Sequence, residues 1–233
     1  MDKFYGKFVG RTINQTPDDG KWYVVGDIHG QYDLLMEQLD EIGFDFDTDK
    51  LFSVGDLVDR GPKSWECLML TYETWFDAVL GNHEAMMYDA IASGLKHLWW
   101  QNGGSWWDTE GHAISLCDRS EAISIICDMP NYLTLNLKDG SSVGIIHASA
   151  NGRQWPPKQT SIDPWGDPTI WCRKFLHGTV PKVSGVDLVI VGHNPTDKPK
   201  LENNTLHIDT GYKTGRLSII DIEEALNENS TRS

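Results

Sequence analysis

Three short polar clusters in the first third of the chain carry residue types that bind hard or borderline metal ions. They are Gly26-Asp27-Ile28-His29-Gly30, Gly55-Asp56-Leu57-Val58-Asp59-Arg60-Gly61 and Gly81-Asn82-His83-Glu84. His147 and His193 close two later apolar runs, VGIIH and LVIVGH. The inventory is carboxylate, imidazole and amide without thiolate, which suits Mn, Fe or Zn rather than a soft metal. Such a set exceeds the needs of one ion and fits two ions that share a bridge. A single Asp in a turn is ordinarily a cap or turn residue. The joint occurrence of Asp27, Asp56 and Asp59 with His29, Asn82, His147 and His193 is what argues for chemistry.

Each cluster directly follows an apolar run. Trp22–Val25 reads as a buried strand, Gln31–Ile42 as a helix stopped by Gly43, and Leu51–Val54 as a strand. Ser64–Thr74 reads as a helix and Phe76–Leu80 as a third strand. This βαβαβ order stacks strands in one sheet with helices against it, and ligands bind at the carboxyl ends of such strands. A helical, tryptophan-rich middle follows, over about 85–129. The second half is mostly strands: Tyr132–Leu137, Ser142–Ile146, Leu188–Val191, Thr205–Ile208 and Arg216–Ile222. The polar run Ala148–Asp167, broken by Pro and Gly, reads as a functional loop. The whole, 1–233, is expected to be one domain, with an N-terminal arm over about 1–20 and a helical turn plus frayed tail over 223–233.

Composition narrows the function. With 233 residues, 39% hydrophobic and 23% charged, the chain is a globular protein with room for a sizeable core. Its net charge of −14 repels nucleic acid and anionic lipid, so neither is an expected partner. It would also repel phosphate unless bound cations invert the local field. No apolar run approaches membrane-spanning length, and the start lacks a secretory apolar core. Cys67, Cys117, Cys127 and Cys172 show no paired spacing, so they read as reduced core residues of a cytoplasmic protein, expected to be monomeric.

GDIHG, GDLVDRG and GNHE followed by two later histidines resemble the PPP family of metal-dependent phosphoprotein phosphatases, and within it the lambda-like phage and bacterial group. The resemblance runs from about Trp22 to Ile220 and takes in NGGSWW and IDTG. It implies an α/β fold of two packed mixed β-sheets flanked by helices, an αββα sandwich. It implies two divalent ions, Mn2+ first with Fe or Zn as alternatives. Asp27 and His29 would hold one ion, Asp56 would bridge, and Asn82, His147 and His193 would complete the other. His83 would be the general acid, oriented by Asp59, while Arg60 and Arg173 would bind phosphate oxygens. The implied reaction is hydrolysis of phosphate monoesters, foremost on phosphoserine and phosphothreonine in proteins, with phosphotyrosine, phosphohistidine and small esters left open by the relaxed specificity of the group.

Leu80 stands where the family usually has Arg, so one phosphate clamp is missing. VLGNH is shared with symmetrical dinucleoside tetraphosphatases, which keeps hydrolysis of a dinucleoside polyphosphate or cyclic phosphodiester as an alternative, and a silent phosphate-binding adaptor as a third. Arg153 or Lys158 of the long loop is a candidate replacement cation; Leu80 otherwise reads as a strand-end core residue. Trp99 and Trp106, seven apart, are expected to share a helical face in the core, with an aromatic wall beside the site as the functional option. Glu84 is expected to serve the helix start or brace the metal residues. His97, His112, His177 and His207 are expected at the surface or in turns, and Cys172 to be passive.

Overall fold

The computed structural model describes residues 8–16, 18–109, 116–158, 167–173 and 180–231. Strand β1 (Gly10–Asn14) precedes β2 (Trp22–Val25), helix α1 (Tyr32–Glu41), β3 (Lys50–Ser53), α2 (Ser64–Met69) and β4 (Phe76–Ala78). Helices α3 (Asn82–Ser93), α4 (His97–Trp99), α5 (Trp106–Thr109) and α6 (Leu116–Asp128) follow. The chain then runs through β5 (Tyr132–Asn136), β6 (Ser142–Ile146), α7 (Pro168–Trp171), β7 (Leu188–Val191), β8 (Lys200–Glu202) and β9 (Thr205–His207). It closes with α8 (Gly211–Thr214), β10 (Ile219–Asp221) and α9 (Ile222–Thr231).

The strands form two mixed sheets, β1-β5-β6-β7-β9-β8 and β10-β2-β3-β4. Alternation along β2 shows how they pack. Trp22 and Val24 enter the core between the sheets with Leu133, Leu135, Val143, Ile145, Leu188 and Ile190. Tyr23 and Val25 face the other way, into the helix-side core with Leu35, Leu39, Leu68 and Met87. A strand buried on both faces has no polar side, so WYVV reads as a continuous apolar run. A third, smaller cluster covers the outer face of the larger sheet, where Trp155 lies over Gly144 and donates from Nε1 to Thr134 Oγ1 at 2.9 Å. Two sheets flanked by helices is the sandwich that the family resemblance implied.

Several local readings change. The helix after the second cluster ends at Met69 and tightens into a 3-10 turn over Leu70–Tyr72. Residues Gly10–Asn14 do not hang as an arm; they pair in parallel with β5 at the sheet edge. The last strand shortens to Ile219–Asp221, and ten residues from Ile222 form a helix whose Ile222, Ala225 and Leu226 are buried. Gly43 does stop α1, at φ 68° with its N–H on Asp40 O. Residues 159–166, His112 and His177 lie outside the described residues. Among the described residues no helix is long and apolar enough to cross a membrane.

Candidate metal centre

Strands β2, β3 and β4 run parallel in one sheet, and β6, β7 and β9 run parallel in the other. Their carboxyl ends deliver Asp27 and His29, Asp56, Asn82, His147, His193 and Asp209 to one edge of the sandwich. Glycine allows the two sheets to close there. A Cβ on Gly192 would lie 2.0 Å from Asp27 Oδ1, and one on Gly26 would lie 2.4 Å from the Ile208 carbonyl oxygen. The backbone is bent to aim the side chains. His29, Asp56, Asp59, Arg60 and His193 all have positive φ, between 47° and 75°. Non-glycine residues adopt that region at a cost of roughly 1–3 kcal/mol each, and it concentrates at functional sites.

Asp56 sits at the centre. Its Oδ2 is 3.7 Å from His29 Nε2 and 3.9 Å from His83 Nε2, while its Oδ1 is 3.5 Å from His147 Nε2. Among the described residues two clusters could hold a metal ion, His29–Asp56–His83 and Asp56–His147–His193, with Asp56 in both. Hydrogen bonding fixes the ring tautomers. His29 donates from Nδ1 to Val58 O (3.0 Å) and His147 donates from Nδ1 to Val54 O (2.8 Å). Both Nε2 lone pairs therefore point inward. His147 Nε2 and His193 Nδ1 lie 3.0 and 2.9 Å from Asn82 Oδ1. The His147 lone pair thus faces an amide oxygen with no proton between them, an arrangement a shared cation satisfies. The residues fit a dinuclear metal site on their donor chemistry.

Charge points the same way. Asp27, Asp56, Asp59, Glu84 and Asp209 are all buried, and buried charges need partners. Burial works against the charge on Asp56, yet His147, His83 and His29 outweigh it and hold its pKa below the ordinary carboxylate range. Burial, with the charges of Asp209 and Asp56, raises Asp27 well above that range. Burial lowers His29 and His193 to about 3, and lowers His147 as well. Asp27 stands outside the two clusters and accepts the His193 backbone N–H at 3.1–3.2 Å.

Around this centre, His83 donates from Nδ1 to Asp59 Oδ2 at 2.7 Å. Burial opposes protonation of His83, but Asp56 and Asp59 prevail and raise its pKa. Arg60 reaches His29 Nε2 (2.7 Å) and His83 Nε2 (3.0 Å) with its two terminal nitrogens. Arg173 is exposed at the rim, with Nη1 donating to His193 O at 3.5 Å. All ten residues picked from the sequence are thus gathered at one edge. Glu84 does both things expected of it: it caps α3 by accepting the Gly81 N–H, and it accepts the N–H groups of Asp56, Leu57 and Val58.

Leu80 is a core residue: it is buried among the helix-side apolar cluster, with its N–H on Pro130 O. Arg153 and Lys158 are exposed, and Arg153 lines a neighbouring cavity of about 260 Å³ with Ala148 and Cys172. His207, expected at the surface, is buried in β9, and burial lowers its pKa to about 4. Cys67 is buried as expected, whereas Cys127 is exposed.

Sequence reasoning passed over two features. Asp209 follows β9 by the same strand-end rule that found the others, and burial with Asp56 pushes its pKa to about 7. Trp99 and Trp106 are buried in the core as expected, but not on one helical face, because a break at Gly103 separates their helices, and their Nε1–H groups also donate to Asp59.

Comparison with known proteins agrees with the geometry. The calcineurin-like phosphoesterase family model matches residues 21–197. Serine/threonine-protein phosphatase 1 of Salmonella typhimurium LT2 is 41% identical over 198 residues, covering 83% of this chain and 87% of that protein. Serine/threonine-protein phosphatase 2 of Escherichia coli K12 is 34% identical, covering 86% and 92%. The crystal structure of a protein assigned as a diadenosine tetraphosphatase superposes with TM-score 0.66 over 92% of this chain and 95% of its own; at 20% identity it speaks for the fold alone. Family match, shared length and a two-cluster site built on Asp56 agree: this chain belongs to the calcineurin-like phosphoesterases.

Proposed function

We propose that the chain is a single-domain serine/threonine phosphoprotein phosphatase that hydrolyses phosphate monoesters with two divalent ions. The observation that carries this reading is Asp56, which offers one carboxylate oxygen to each of two histidine clusters beside a His83–Asp59 couple. Asp27 and His29 would hold one ion, Asn82, His147 and His193 the other, and Asp56 both. Mn2+ is the proposed metal, since the donors are oxygen and imidazole. When bound, the ions supply Lewis-acid activation of a water at neutral pH and offset the negative field of the protein.

The side chains supply the rest. Arg60 and Arg173 meet the equatorial phosphate oxygens, where charge collects in the transition state. Arg60 donates to His83 Nε2 in this structure. With Arg60 turned to phosphate, Nε2 would carry the proton that His83 delivers to the leaving alkoxide, while its Nδ1–H stays on Asp59. Hydroxide, phosphate monoester dianion and protonated His83 become hydrogen phosphate, alcohol and neutral His83. Proton release on forming the next hydroxide restores the imidazolium.

The test compares a phosphoserine peptide, p-nitrophenyl phosphate and diadenosine tetraphosphate in Mn2+, with metal content measured on each protein. Phosphopeptide turnover that exceeds tetraphosphate turnover is expected, and His83→Asn should keep its metal while kcat falls ~10²–10⁴-fold. Preference for the tetraphosphate would replace this reading with nucleotide hydrolysis. No hydrolysis by metal-loaded protein would leave a binding module.

A further inference from the structure

Asp59 is fully buried, and three N–H groups converge on its carboxylate. His83 takes Oδ2 at 2.7 Å, Trp99 Nε1 lies 2.9 Å from Oδ1 and 2.8 Å from Oδ2, and Trp106 Nε1 lies 2.8 Å from Oδ1. An indole N–H is a donor only, so neither tryptophan can accept a proton from the couple. What the two rings can do is fix the plane of the carboxylate. With Oδ1 held by two indoles, Oδ2 is left turned toward Nδ1 of His83.

The local chain is shaped to bring both rings to one carboxylate. Trp99 and Trp106 do not share one helical face; they lie at the end of one short helix and the start of another. A π-type turn over Trp100–Gly104 joins them, broken at Gly103 with φ 108°. A Cβ on Gly103 would lie 2.9 Å from the Arg60 backbone nitrogen, and one on Gly104 would lie 2.3 Å from the Trp99 ring. The two indoles then meet edge to face at 6.2 Å and 83°, and Trp107 packs against both. The NGGSWW stretch is therefore a scaffold for Asp59, packed directly under Arg60.

We propose that Trp99 and Trp106 are positioning residues for proton delivery to the leaving group, acting through Asp59 on His83. This rests on the reading of His83 as general acid. The step they serve breaks the P–O bond to the leaving oxygen and moves the Nε2 proton of His83 onto that oxygen, while the Nδ1 proton stays on the ring. A carboxylate held in one plane keeps Nε2 aimed at the leaving atom, and a small misalignment is costly in proton transfer.

The experiment uses Trp99→Phe and Trp106→Phe in the Mn2+-loaded protein; each keeps an aromatic ring and deletes the indole N–H. A phosphoserine peptide releases an alkoxide that needs a proton, whereas p-nitrophenyl phosphate releases a stable phenolate. The ratio of kcat on the peptide to kcat on p-nitrophenyl phosphate is expected to fall ~10-fold in each variant with peptide KM unchanged. An unchanged ratio, whether both activities drop or neither does, overturns the proposal and leaves the tryptophans as packing. His83→Asn is run alongside: if it too leaves the ratio unchanged, the general-acid reading fails. If it lowers the ratio and the tryptophan variants do not, only this inference fails. Should a Phe variant not fold, indole proton NMR of the native enzyme decides. Two slowly exchanging Nε1–H signals that move in Asp59→Asn support the clamp, and rapid exchange of both overturns it.

Discussion

Glu84→Gln tests whether the metal-bearing loop is held by a buried carboxylate. Glu84 is fully buried, and both its oxygens are saturated by backbone donors. Oε1 accepts Leu57 N–H at 2.7 Å and Val58 N–H at 3.2 Å, while Oε2 accepts Asp56 N–H at 2.9 Å and Gly81 N–H at 3.0 Å. Glutamine keeps one acceptor and turns an NH2 group toward two of those donors. Burial and Asp56 raise the Glu84 pKa to about 7. Above that pH two hydrogen bonds to a carboxylate disappear, at roughly 1.5–3 kcal/mol each, so the expected loss is about 3–6 kcal/mol and shrinks below pH 7. In a domain of this size that lowers Tm by ~10–20 °C. Because the released N–H groups belong to the segment that presents Asp56, Mn2+ affinity should fall too. Urea and thermal unfolding of metal-stripped protein, with calorimetric Mn2+ titration, give both numbers. A Tm within ~3 °C of the parent would refute the argument that these four contacts hold the loop.

Two further expectations follow from burial. Leu80→Arg places a charge in the helix-side core, so it should cost ~3–5 kcal/mol in urea unfolding and leave KM for p-nitrophenyl phosphate no lower; unchanged stability with a lower KM would show that the side chain reaches phosphate. His207 is held neutral, its pKa lowered by burial to about 4, while the unfolded chain protonates near 6.5. The unfolded state therefore binds more protons in that window, and stability falls as pH drops from about 6.5 toward 4, by up to ~3 kcal/mol. His29 and His193, lowered to about 3, add in the same direction. His207→Gln should make the slope of stability against pH shallower by up to one proton, and an unchanged slope would show that His207 is not buried neutral.

The strand-end residues were readable because their cause is local. An apolar run, a glycine and then Asp, Asn or His is a short-range pattern, and parallel strands carry such patterns to one edge. The edge strand Gly10–Asn14 was not readable, since its residues are mostly exposed and only Ile13 packs against the core, leaving no apolar alternation to see. The clamp on Asp59 was hidden for another reason. It joins residues 40 and 47 positions apart through indole nitrogens, whose use as donors leaves no trace in hydrophobic periodicity. Helix α9 is a different case: Ile222, Ala225 and Leu226 have helical spacing, and the acidic and Asn-rich surroundings masked it. Burial of His207 likewise follows from its place in a strand paired on both sides, between β7 and β8, rather than from its type.

The side chains of the candidate metal centre come from parts of the sequence far apart. Asp27, His29, Asp56 and Asn82 lie in the first 82 residues, whereas His147 and His193 arrive with β6 and β7. The second cluster cannot close until residue 193 has been added. Under the proposed chemistry, translation itself acts as the safety catch: a prematurely terminated or half-made polypeptide ending before β7 has no means of stripping phosphate from its neighbours.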